Sequence, residues 1–61
     1  MTWGELERKI KKVGWYFDHH GGDHDQYAHN TIPGFLPIGR HKSKEVPTGT
    51  LVKILKQAGL K

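Results

Sequence analysis

Apolar residues recur at every third or fourth position near each end of this 61-residue chain, and that spacing settles most of what the chain can become. Near the amino terminus, Trp3, Leu6, Ile10 and Val13 fall on one face of a helix predicted from Thr2 to Val13. Thr2 and Glu5 have capping-box spacing at its start, and Gly14 supplies a stop. Near the carboxyl terminus, Leu51, Ile54, Leu55 and Ala58 define the buried face of a second helix, capped by Thr48 or Thr50 and ended by Gly59. A chain this short makes one small domain, and two packed layers are the most it can build.

Between the helices the period shortens. Trp15 to His19 is aromatic and extended in character, with Trp15 and Phe17 on one side and Tyr16 and Asp18 on the other. His20-Gly21-Gly22 makes a turn, the glycines admitting backbone angles that a side chain would forbid, and a second strand runs from Asp23 or His24 to His29. Asn30, Thr31, Pro33 and Gly34 are turn formers, so Phe35 to Ile38 is a short third strand that Pro37 confines to an edge or a strand end. Short turns between three strands give an antiparallel meander. The expected fold is therefore α+β, in the order helix, three strands, helix, with both helices on one face of a three-stranded antiparallel sheet. Trp3, Leu6, Ile10, Val13, Trp15, Phe17, Leu51, Ile54 and Leu55 are its expected core.

Charge is divided unevenly along this scaffold. Residues 1 to 30 sum to −1, whereas residues 31 to 61 carry Arg40, Lys42, Lys44, Lys53, Lys56 and Lys61 against Glu45 alone, which is +5. A basic half in a small domain points to an anionic partner, of which nucleic acid is the commonest. Arg40, Lys42 and Lys44 lie in a polar loop from Gly39 to Gly49 and are candidate phosphate contacts. Arg8, Lys9, Lys11 and Lys12 read instead as the solvated face of the first helix. The absence of cysteine excludes a disulfide framework and a thiolate zinc site, and is compatible with a reducing cytoplasm. No apolar run approaches a membrane span, and the amino terminus lacks the order of a signal peptide.

Chemistry concentrates around His24. Strand alternation puts His24, Gln26 and Ala28 on one face and Asp23, Asp25, Tyr27 and His29 on the other, which separates the histidine from its acidic neighbours. Histidine changes charge near neutrality and suits proton transfer, while Gly21 and Gly22 let backbone amides approach a phosphate. Asp18, His19, His20, Asp23, His24, Asp25 and His29 also invite a reading as nitrogen and oxygen ligands of a metal ion. Alternation divides them between faces, and they lack a recognised ligand spacing.

Four features together resemble the HicA toxin family of toxin–antitoxin pairs. They are a first helix ending in Gly14-Trp15, the Gly22-Asp23-His24 turn followed by Tyr27, the stretch Leu36-Pro37-Ile38-Gly39-Arg40-His41, and the ending from Gly49 to Leu60. The resemblance covers nearly the whole chain as one domain, residues 1 to 61, and implies a double-stranded-RNA-binding-like fold. It implies a cytoplasmic, metal-independent endoribonuclease that cuts mRNA without a cofactor, has its single active histidine at His24, and is held inactive by a HicB-type antitoxin. Gly22, Arg40, His41, Lys42 and Lys44 would then meet RNA, on a surface that the antitoxin covers. This chain departs from the family pattern at Asp23, where a small residue is usual, and at Gly39, which replaces a common proline and is expected to loosen the loop. The alternative is a non-catalytic RNA-binding module of the same fold, using Trp15, Tyr16 and Tyr27.

Overall fold

The computed structural model describes residues 1–60. Lys61, counted above in the charge of the basic half, lies outside the described residues. Helix α1 spans Trp3–Lys12, strands β1, β2 and β3 span Tyr16–His20, His24–Ala28 and Leu36–Gly39, and helix α2 spans Thr48–Ala58. The strands form one antiparallel sheet in the order β1-β2-β3. Element order and topology are those predicted, with boundaries moved by a residue or two.

Local chemistry accounts for the helix ends. Thr2 accepts from the Glu5 amide while the Glu5 carboxylate accepts from the Thr2 amide, which completes the capping box. Two further first-turn amides are satisfied from a distance: Trp3 N–H donates to the Lys44 carbonyl at 2.9 Å, and Gly4 N–H to that of Lys42 at 3.0 Å. The basic loop is thereby docked on the start of α1. Neither Thr48 nor Thr50 caps α2; its N-cap is Pro47, with no side-chain cap bond. Proline lacks an N–H and fixes its own φ, so the chain enters the helix without a capping hydroxyl. Gly59, at φ +81°, supplies the left-handed C-cap.

Both helices contribute to a core that closes over β2 and β3. It comprises Trp3, Leu6, Ile10, Trp15, Tyr27, Leu36, Ile38, Val46, Ile54 and Ala58. Pairing of Asp25 with Ile38 and of Tyr27 with Leu36 places these four side chains on one side of the sheet. Four expectations of the core fail. Val13 and Phe17 are exposed, and Leu51 and Leu55 are only partly buried. Val13 falls just past the last helical turn, as the C-cap of α1. Phe17 belongs to β1, all five residues of which are exposed, because neither helix covers that edge of the sheet. Tyr27, Leu36, Ile38 and Val46 take the interior instead.

Two glycines near the sheet's end act by lacking a side chain. Neither Gly21 nor Gly22 has positive φ, contrary to the expectation for the turn. A Cβ at Gly21 would lie 2.8 Å from both Gln26 Nε2 and the His24 carbonyl oxygen, whereas one at Gly22 would meet nothing. Gly21 N–H donates to that same His24 carbonyl at 2.9 Å, so the hairpin closes tightly there. Gly39 does not loosen the loop. It is the buried last residue of β3, and a Cβ on it would stand 2.6 Å from the Trp3 indole. Only glycine lets the indole sit so close.

Candidate functional site

Where α1 begins and β2 and β3 meet, an open cavity of about 410 Å³ is lined by Trp3, Asp23, His24, Gly39, Arg40, His41 and Lys44. Each arrives by a different route. His24 opens β2 directly opposite Gly39, and the Trp3 indole fills the space that a side chain on Gly39 would claim. The His24 ring meets that indole edge-on, with centroids 5.5 Å apart at 71°. The histidine is thus braced by an aromatic plane while remaining half-buried at the cavity wall. Arg40, His41 and Lys44 follow from the loop that α1 holds through its first amides.

Of the residues singled out in the sequence, the fold gathers His24, Arg40, His41 and Lys44 around one cavity. Gly22 is exposed at the hairpin tip, outside its lining. Lys42 points elsewhere: its ammonium lies 2.6 Å from Glu7 Oε1. Asp23 was expected on the face opposite His24, yet it lines the same cavity, because β2 begins at His24 and Asp23 stays in the turn, where alternation does not apply. Trp3 was read as core alone, and its contact with His24 has no signature in the one-dimensional pattern.

Two carboxylates divide the neighbouring cations, one drawing Lys42 away from the cavity and the other holding Arg40 at it. Glu7 on α1 accepts from Lys42 at 2.6 Å, from the Tyr27 hydroxyl at 2.6 Å and from Lys11 at 3.0 Å. Burial raises its pKa, but hydrogen bonds from Lys42, Tyr27 and Lys11 more than offset that and hold it at about 2. The Tyr27 hydroxyl is pushed well above its ordinary value by burial and by the same carboxylate. Asp25 on β2 accepts from Arg40 Nε at 2.7 Å and faces His20 Nδ1 at 2.8 Å. Arg40, followed by His20, keeps the Asp25 carboxyl below its usual range. A β-bulge between Phe17 and His19 produces the His20 contact, since the extra residue brings His20 round to pair with Asp25.

The other histidines have separate employment. His29 Nε2 lies 2.8 Å from the Val13 carbonyl oxygen, and its Nδ1 accepts from the Thr31 amide at 3.1 Å, which joins the end of α1 to the turn after β2. His19 contacts Asp18 at 2.6 Å. Among the described residues, no three histidine, aspartate or glutamate side chains are grouped so as to hold a metal ion.

Fold and site together define a small α+β domain with a cavity in which His24 and His41 stand beside Arg40, Lys44 and the carboxylate of Asp23. The family model of the HicA toxin of bacterial toxin–antitoxin systems matches residues 3–60, and the chain belongs to that family. Its role is accordingly that of a toxin, and the family implies an antitoxin partner. No curated protein matches the chain. Among the described residues no helix is long and apolar enough to cross a membrane.

Proposed function

We infer that this toxin is a metal-independent endoribonuclease that cleaves mRNA, that His24 carries the proton in the reaction, and that a HicB-type antitoxin neutralises it by covering the same cavity. The observation that supports this best is the placing of His24, braced on Trp3, in a cavity whose rim holds Arg40, His41 and Lys44. RNA brings its own nucleophile, so few protein groups are needed. The 2′-hydroxyl attacks the adjacent phosphorus, a new O–P bond forms, the bond to the 5′-oxygen breaks, and the products are a 2′,3′-cyclic phosphate and a free 5′-hydroxyl. His24 takes the 2′-hydroxyl proton as general base or returns one to the 5′-oxygen as general acid. The cationic rim steadies charge gathering on the phosphate oxygens. The basic loop and an acidic antitoxin segment would be complementary, and RNA and antitoxin would compete for one surface.

His24→Ala is expected to leave the fold and stability nearly unchanged while lowering RNA cleavage by roughly 10² to 10⁴-fold. Cleavage assays with and without chelator, alongside circular dichroism, provide the test. Parental cleavage by the alanine variant would remove His24 from the chemistry and turn attention to His41; no cleavage by the parent itself would leave an RNA-binding module; activity lost to chelator and restored by zinc would defeat the metal-independent route.

A further inference from the structure

Arg40 follows the last residue of β3 directly, and its side chain is held at two points. Its Nε donates to Asp25 Oδ1 at 2.7 Å, and its Nη2 donates to the Gly21 carbonyl oxygen at 3.0 Å. One acceptor belongs to β2 and the other to the β1–β2 turn, so the guanidinium plane is fixed across the end of the hairpin. A guanidinium has five N–H donors, and these two bonds leave three on its outer edge. Arg40 also lines the cavity that holds His24. Asp25 is well placed to hold it there: its side chain is only 16% exposed, and His20 Nδ1 approaches the same Oδ1 from β1.

We propose that Asp25 is a positioning residue for RNA cleavage, acting through Arg40, which it turns so that the free guanidinium edge faces the reacting phosphate beside His24. The idea rests on the endoribonuclease reading above. Its physical basis is an opposition between two effects. A carboxylate beside a phosphate site repels the ground-state polyanion, so on charge alone removing Asp25 would improve RNA binding. A donor aimed in advance at developing charge helps the transition state more than the ground state, so its orientation is read in turnover. Asp25 therefore trades some ground-state attraction for a fixed donor geometry, and the two effects separate in the kinetics.

The test compares kcat and KM for cleavage of a short RNA by the parent, Asp25→Ala, Arg40→Ala and the double variant. Arg40→Ala should lower kcat by roughly 10²-fold, the range for loss of one preorganised donor. Asp25→Ala should lower kcat by roughly tenfold, as removal of an outer supporting partner does, with KM unchanged or lower. The double variant should be no slower than Arg40→Ala alone, since Asp25 has nothing left to position. Asp25→Asn, which keeps a neutral acceptor for Nε, should recover part of the lost kcat, and it serves equally if the alanine variant folds poorly. Additive losses, or a kcat for Asp25→Ala at or above the parent's, would overturn the proposal. The parent and His24→Ala, run in parallel, tell the failures apart: no cleavage by the parent sinks the endoribonuclease reading, parental cleavage by His24→Ala sinks His24 as its proton carrier, and additive losses with the parent active and His24 essential sink only the role of Asp25.

Discussion

The two outer strands, β1 and β3, both pair with β2, yet they occupy opposite environments. Leu36 and Ile38 of β3 are fully buried beneath the helices, and Gly39 is pressed against Trp3. Every residue of β1 is exposed, including Tyr16 and Phe17. Two short helices cannot cover three strands, and they settle over β2 and β3. Burial, and with it stability, is concentrated at the β3 side. The contrast also locates the candidate site, which opens where the covered side ends and draws its cations from the loop leaving β3. β1 contributes through its turn and through His20, which reaches Asp25 because the strand is bulged.

The contrast predicts unequal responses. Ile54, on α2, is 3% exposed in the core over β2 and β3, and Ile54→Ala should cost about 2 to 5 kcal/mol. A domain of this size has little stability to spare, so the melting curve should shift strongly or disappear. An unchanged melt would show that the β3 side is not where stability resides.

Acid should weaken the same side next. Glu7 ties Lys42 of the loop to α1, and to Tyr27 of β2 through its hydroxyl. Its folded pKa of about 2 lies below the ordinary 4.5, so the unfolded chain binds this proton first. The contribution is complete above pH 4.5 and is lost as pH falls toward 2. Melts across that window should show the parent losing stability more steeply than Glu7→Gln, which has no such carboxylate to titrate. Parallel pH dependences would remove Glu7 from the account.

The smallest effect belongs to β1. Phe17 rests edge-on against His20 and Tyr27 but is 44% exposed, so Phe17→Ala should shift stability by about 0.5 kcal/mol, or little more, in a chemical denaturation experiment. A loss comparable to that of Ile54→Ala would mean that β1 is covered after all, and the comparison would collapse.

Much of this molecule is legible in one dimension. Periodicities of three to four and of two, interrupted by glycine and proline, determine the element order, the capping box of Thr2 and Glu5 and the meander, because these depend on near neighbours along the chain. His24 could be singled out for the same reason, at the junction of a glycine turn and a strand. Which apolar residues are covered was decided only in three dimensions: Phe17 and Leu36 both read as strand aromatics or aliphatics, but only Leu36 lies where the helices settle. The division of the cations was equally invisible, since Arg40 and Lys42 stand two positions apart in one basic loop, while Asp25 holds the first at the cavity and Glu7 draws the second away. Those pairings span 15 and 35 positions of chain, and no local pattern carries information about a contact that exists only once the sheet and helices have packed.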